Sequence, residues 1–365
     1  LPTATNVTLR LDAPHHATLT AGAALEVDPD LVPLAWAQRL AADLHPLRDA
    51  GGPGTRSAIP DSVGLLDLLG ETHGVSADPR GAPELAELWT RSPRSTAVPI
   101  GHSGDRPLVI DLAADGPHAL VGGTTGSGKS ELLVSLVAAL AAVNRPDELA
   151  FVLVDYKGGA AFGACAQLPH VVGLVTDLDH HLTERALASL SAELRRRERL
   201  LAGRAAADLT AYQSNWRDGD PRLGRLVIVV DEFRSLAEEL PDFVEGLVRI
   251  ASLGRSLGVH LVVATQRPAG VVTADMRANL GLRIALRMRD IADSIDVLDS
   301  PLAARLPGDR PGRALVASAR TPLVEMQTAR VTDRRATAAA SVRVLSVAGR
   351  PTAVEPSGCG TDLDL

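Results

Sequence analysis

Residues Gly123 to Ser130 read GTTGSGKS, which fits G-x-x-x-x-G-K-[ST], the spacing of a phosphate-binding loop. Glycines in such a loop let consecutive backbone N–H groups converge on phosphate oxygens. A helix starting at its end adds partial positive charge. Gly123, Thr124, Thr125, Gly126, Ser127, Gly128, Lys129, Ser130 and Glu131 are therefore assigned to the phosphates of a nucleotide. Lys129 is expected to reach the β- and γ-phosphates, and the Ser130 hydroxyl to ligate Mg²⁺.

A phosphate loop needs a carboxylate opposite it for the metal. Leu226 to Glu232 reads LVIVVDE, an apolar run ending in two acids. A buried strand there fixes Asp231 at its tip as the second Mg²⁺ residue, and Glu232 is placed to polarise the attacking water as general base. The run from His260 ends in Thr265-Gln266-Arg267, and Gln266 is the candidate for sensing the γ-phosphate and orienting water. Arg283, Arg287 and Arg289 alternate with Ile284, Leu286 and Met288, which puts the arginines on one side of a strand. Two readings stand for them. One is an arginine supplied in trans to a neighbour's nucleotide, with Arg283 leading and Arg277 and Arg267 behind it. The other is a salt-bridged exposed face. Asp155-Tyr156-Lys157-Gly158-Gly159 is read as a strand-end turn that links the nucleotide to a neighbour, or as a purely structural turn. Arg195-Arg196-Arg197 is read as a solvated helix face, with an anion-binding role as the alternative.

The elements that must position these residues follow from apolar patterning. Strands are expected at 108–112, 119–121, 149–155, 171–175, 226–230, 260–265, 283–288 and 314–317, and helices at 130–143, 182–202, 243–257 and 291–298. Continuous Val/Leu/Ile runs imply strands covered on both faces, so the class is α/β with a mainly parallel central sheet flanked by helices. Ligands then sit at the carboxyl ends of the strands. Residues 1–95 are rich in Gly and Pro and read as a small helical or irregular connector, with a strand near Val7–Leu11 and helices over 30–47, 65–69 and 85–89. Residues 96–331 form the catalytic domain, and 332–365 a linker or disordered tail.

Composition sets the outer bounds. Charged residues make up 22% and hydrophobic ones 45% of 365 residues, an ordinary globular balance, while aromatics at 2% leave the core to Leu, Val, Ile and Ala. A net charge of -7 argues against a strongly basic nucleic-acid binder. Two distant cysteines, Cys165 and Cys359, form no disulfide framework and suggest a reducing compartment. The His15-His16 and His180-His181 pairs lack metal-ligand spacing and read as surface histidines. No apolar stretch approaches the ~20 residues of a membrane helix. The chain begins with Leu1, so it is read as a piece of a longer or a processed protein.

Four separated motifs, GTTGSGKSELL (Gly123–Leu133), VDYKGG (Val154–Gly159), VVDEF (Val229–Phe233) and ATQRP (Ala264–Pro268), resemble those of the FtsK/SpoIIIE motor ATPases in order. Together with LPHVVGLVTDLD, LGRSLGVHL and MRANLGLRIALR, they look most like the actinobacterial EccC branch of type VII secretion ATPases. The resemblance spans roughly Pro99 to Val331. It implies a RecA-like P-loop NTPase that hydrolyses ATP and assembles into a homo-oligomeric ring, commonly a hexamer, or with neighbouring ATPase domains. It implies a motor on the cytoplasmic side of the cell membrane, in a membrane-anchored parent, that moves a secreted protein carrying a C-terminal signal. DNA is the alternative substrate; the roughly 34 residues after Val331 are too few for the winged-helix module of DNA-pumping members, which would then have to lie outside this chain. A regulatory nucleotide-binding scaffold with little turnover is the remaining alternative, and the intact Glu232 argues against it.

Overall fold

The computed structural model describes residues 8–13, 16–20, 24–27, 59–74, 87–90, 94–104, 106–155, 161–176, 180–268 and 274–331. The chain divides into two compact units, one of Leu1–Thr55 with Thr337–Leu365 and one of Arg56–Ala336. In the first, β1 (Thr8–Ala13), β2 (His16–Thr20) and β3 (Ala24–Val27) pair antiparallel in chain order. A three-stranded sheet thus stands where the sequence pattern suggested one strand in a helical or irregular segment. The helix expected over 30–47 and the tail over 332–365 lie outside the described residues.

The second unit starts near residue 56 rather than 96. Its first described helix, α1 (Leu65–His73), buries Leu65, Leu68 and Leu69 in the core on one face of the unit's sheet. Its sheet is built from β4 (Ala97–Ser103), β5 (Arg106–Asp111), β6 (His118–Gly122), β7 (Leu149–Asp155), β8 (Val171–Val175), β9 (Arg225–Asp231), β10 (Val259–Thr265), β11 (Leu282–Leu286), β12 (Arg313–Ala317) and β13 (Val324–Thr328). The strand order is β5-β4-β13-β12-β11-β6-β10-β9-β7-β8. From β11 to β8 every pairing is parallel, and the remaining four are antiparallel.

Helices cover both faces. With α1, α2 (Lys129–Val143) fills one side; α3 (His180–Gly203), α4 (Leu209–Ser214), α5 (Phe233–Glu239), α6 (Pro241–Leu257), α7 (Ala274–Asn279) and α8 (Ile291–Leu298) contribute to the core on the other. The central strands show why: Val227 and Val229 of β9 join one core while Ile228 and Val230 join the other, and Val262 and Ala264 of β10 oppose Leu261 and Val263. All seven residues of β10 are buried. At the sheet edge, β8 alternates between half-buried and exposed positions, as a half-covered strand should.

The sequence pattern did not mark β4 or β13. Pro99 and Gly101 break the apolar run of β4, and a register irregularity falls between them. A Cβ at Gly101 would lie 2.2 Å from the Gln327 carbonyl oxygen, so glycine is what lets β13 pair there. β13 reads VEMQT, too polar for a buried-strand pattern. One surface expectation is corrected. Arg197 is buried, donating to the Leu257 carbonyl at 2.8 Å and to Glu193 at 2.9 Å, because α3 packs this side against the end of α6. Its neighbours Arg195 and Arg196 are exposed.

At the amino ends of the strands two buried histidines are fully bonded as neutral rings. His118 donates to the Ala251 carbonyl at 2.7 Å and accepts from the Leu261 N–H at 3.0 Å. His260 donates to the Pro117 carbonyl at 3.0 Å and accepts from Arg225 at 3.2 Å. Burial lowers the pKa of His118 to about 4, and burial plus the Arg225 charge lower that of His260 to about 3. Between the ordinary histidine value of 6.5 and these values, the unfolded chain binds protons that the folded chain refuses. Stability present above about pH 6.5 is therefore lost as the pH falls, by roughly 3 kcal/mol or more for the two rings. Thermal melts should show Tm declining from pH 6.5 to 4, with a shallower decline in a His118→Gln/His260→Gln double variant; equal slopes in the two proteins would contradict this account.

Candidate nucleotide site

The chain leaves β6 through Gly123–Gly128 and enters α2 at Lys129. The next strand in sequence, β7, lies three places away, with β10 and β9 filling the gap. The carboxyl ends of β6, β10 and β9 thus stand side by side: Thr265 pairs with Gly122, and Asp231 pairs with Asp155 of β7. Buried apolar residues hold each strand rigidly, and the polar residues begin where the strands end.

The loop backbone is shaped by glycine. Gly126 and Gly128 have φ of 77° and 99°, conformations that other residues rarely adopt. A Cβ at Gly126 would meet nothing within 4 Å, so this part of the loop has an open face. The loop is tied down from several directions. Gly123 N–H donates to the Thr265 carbonyl at 3.2 Å, and the N–H and hydroxyl of Thr124 donate to the Arg287 carbonyl at 3.0 and 3.1 Å. Gly312 N–H donates to the Ser127 carbonyl at 2.7 Å.

The side chains then close a polar circuit. Lys129 donates to Asp231 and lies 3.5 Å from Glu232. Ser130 donates to the other Asp231 oxygen at 3.3 Å, and Glu232 N–H donates back to Asp231 at 2.8 Å. Gln266 donates its amide N–H to Glu232 and accepts from the Thr125 hydroxyl at 2.9 Å. Lys129, Asp231 and Glu232 are all buried. Two adjacent carboxylates and one ammonium in a low-dielectric setting are stable only as a set, since removing the cation leaves uncompensated buried charge. Asp155 lies in register with Asp231, buried and accepting from Ala161 N–H at 2.9 Å. Lys157 lies outside the described residues.

The donor set fits the groups expected here. The hydroxyl of Ser127, inside the loop, is buried without a protein partner, and the first amides of α2 have no intrahelical acceptors. Both suit phosphate oxygens. Ser130 and Asp231 offer oxygen ligands within hydrogen-bond distance of each other. That matches Mg²⁺, which takes one or two protein oxygens alongside phosphate.

The structure brings together Lys129, Ser130, Asp231, Glu232 and Gln266, and separates Arg283 from them. Arg283 lies near the amino end of β11, paired with Asp299, and Arg277 pairs with Asp296 at 3.2 Å. Exposed Arg287 and Arg289 lie beyond the strand's end. The roles of the Arg287 carbonyl and of Gly312 were invisible in the sequence, because backbone groups far along the chain supply them.

Glu232 carries a further signature. Its backbone is left-handed, with φ 55° and ψ 45°, a conformation that costs a non-glycine residue about 1 kcal/mol or more. The strain turns the carboxylate back toward Lys129 at the point where β9 becomes α5. Replacing Glu232 with Gly should therefore give a protein about 1 kcal/mol more stable than the Ala replacement, although neither has the carboxylate. Denaturant unfolding of the two variants measures the difference, and identical stabilities would show that the turn is unstrained.

Comparison with known proteins agrees with this geometry. Residues 84–270 match the FtsK/SpoIIIE family model. The chain is 38% identical over 279 residues to the type VII secretion system protein EssC of Staphylococcus aureus, covering 74% of this chain and 18% of that protein. It thus spans about one fifth of that relative's length. Among solved structures, the cytoplasmic domain of the Thermomonospora curvata type VII secretion ATPase EccC is 39% identical, with a TM-score of 0.66 over 74% of this chain and 32% of that one. Thermomonospora curvata EccC ATPases 2 and 3, in complex with a signal sequence peptide, are 26% identical with a TM-score of 0.56 over 66% and 43% of the two chains. A phosphate loop, two acids where a buried strand two places away ends, and a matching family model lead to one conclusion: the chain belongs to the FtsK/SpoIIIE family and carries its P-loop ATPase domain.

Proposed function

We propose that this chain is an ATP-hydrolysing motor domain that powers protein export through a type VII-like secretion machine. The observation that carries the proposal is the circuit in which Lys129 sits between Asp231 and Glu232 while Gln266 joins Glu232 to the loop residue Thr125. In this reading the loop amides and the α2 N-terminus hold the triphosphate. Lys129 turns from the acids to the β- and γ-phosphate oxygens, which frees Glu232 to accept the proton of the attacking water. Gln266 keeps the carboxylate oriented and senses the γ-phosphate through the same amide. Ser130 and Asp231 would hold Mg²⁺, which would supply neutralisation of phosphate charge.

The relatives' names support the export role, and the signal peptide bound to EccC makes a peptide of that kind the partner to test. Among the described residues no helix is long and apolar enough to cross a membrane. We place the motor on the cytoplasmic side, with membrane attachment through other parts of a longer protein. We assign the trans arginine to Arg283 in a ring, commonly a hexamer, or between this domain and neighbouring ATPase domains. Its pairing with Asp299 would then have to open at the junction.

Lys129→Ala should abolish ATP binding and lower stability by about 3 kcal/mol, because two carboxylates lose their shared cation. Fluorescent-nucleotide titration with thermal denaturation tests both effects, and unchanged affinity defeats the assignment. Glu232→Gln should retain nucleotide binding yet lose turnover by a factor of about 100 or more in a phosphate-release assay; near-normal turnover means another base acts. For Arg283→Ala, monomer affinity should stay the same while the concentration-dependent rate falls. Mixing it with Glu232→Gln subunits should restore turnover at junctions that pair an intact arginine with an intact base, and no such complementation would reject a trans role.

A further inference from the structure

We infer that the turn at Arg310–Arg313 is a buttress that sets the nucleotide affinity of the P-loop and is itself held by the segment entering the domain at Ile59–Asp61. The inference rests on the nucleotide-site reading above and adds positioning residues to it.

The contact with the loop is direct. Gly312 donates to the Ser127 carbonyl at 2.7 Å, in the middle of the phosphate loop, and accepts from Thr328 N–H at 2.9 Å. A Cβ on Gly128 would lie 2.9 Å from Gly312 N, so the two backbones touch with no room for a side chain. Gly312 has φ 85°, and a Cβ there would lie 2.6 Å from Gln327 Nε2 and 2.7 Å from Thr328 Oγ1. Gln327 and Thr328 are buried and belong to β13, while Gln327 also donates to the Pro311 carbonyl at 2.8 Å. The loop that must cradle phosphate thus rests on a glycine wedged between it and the antiparallel half of the sheet.

The turn is clamped from behind. Arg313 is 4% exposed and donates to the Pro60 and Ile59 carbonyls at 3.2 and 3.4 Å. Asp61 lies 3.0 Å from Arg310 and 3.6 Å from Arg313. Arg313 Nε and Gln327 Oε1 are buried without a protein partner, so this arrangement is kept at an energetic cost. The entering segment continues as a strap. Arg330 donates to the Val63 carbonyl at 2.8 Å, and Leu65 N–H donates to the Arg330 carbonyl at 2.9 Å. The Ile59 and Pro60 carbonyls and the Asp61 carboxylate are therefore linked to the Ser127 carbonyl through two arginines and one glycine.

The test measures the affinity of the full chain for a fluorescent ATP analogue, its Tm and the split of turnover between kcat and KM. Gly312→Ala should weaken binding at least tenfold and raise KM more than it lowers kcat. Asp61→Arg reverses an exposed charge, so it should leave Tm within a degree or two while weakening binding two- to fivefold. Adding Arg310→Asp to Asp61→Arg should recover most of that affinity with Tm unchanged throughout, whereas a merely structural contact would move Tm and leave affinity alone. If Gly312→Ala lowers Tm with affinity unchanged, or Asp61→Arg leaves affinity unchanged, the buttress is overturned while the nucleotide site stands. A parental chain that fails to bind the analogue, or a Lys129→Ala variant that binds it as well as the parent, overturns the underlying reading instead.

Discussion

One buried ammonium shared by two buried carboxylates is the constraint around which this domain is arranged. Lys129, Asp231 and Glu232 come from different elements, and each alone would be an expensive charge to place there. Holding them at bonding distance demands that β9 and the start of α2 be fixed relative to each other. The sheet does this by placing β10 between β6 and β9, fully buried, so that three strand ends present their polar residues at one level. The catalytic logic then follows from competition. In the function proposed above, phosphate oxygens would be the competing acceptors for Lys129, and its transfer to them would change the charge surrounding Glu232.

The left-handed turn at Glu232 belongs to the same design. A strand that simply continued would point the next residue away from α2, whereas the reversal into α5 returns the carboxylate to the lysine and to Gln266. Local strain here is held by strongly buried neighbours on either side, Val230 and Phe233.

Much of this was legible in the sequence for physical reasons. The phosphate loop is a local motif whose glycines dictate its own backbone, and the LVIVVDE and HLVVAT runs report double-sided burial followed by polar tips. The family resemblance agreed with them, and the matching family model supports it. What stayed hidden depends on long-range geometry. β4 carries Pro99 and Gly101, which read as breakers until Gln327 is placed against them. Arg197 looks like a member of a solvated triplet until the end of α6 supplies an acceptor for it. The tie between Gly312 and Ser127 involves only backbone atoms, which no residue-type pattern encodes. The arginine alternation did not become a strand face: only Arg283 lies in β11, Arg287 and Arg289 come after its end, and Arg283 pairs with Asp299, which follows α8.

The far end of α2 has its own fastening. Trp89 Nε1 donates to the carbonyls of Ala141 and Ala142 at 3.2 and 3.0 Å, and Asn144 caps the Leu140 carbonyl at 2.9 Å while His170 donates to the Asn144 carbonyl at 2.8 Å. A straight rod of roughly 22 Å, gripped at both tips, cannot absorb a shove at one of them by bending. Lys129 at the near tip and the carbonyls gripped by the Trp89 indole at the far one are therefore kept at a set separation, so neither end of the shaft can shift without the other.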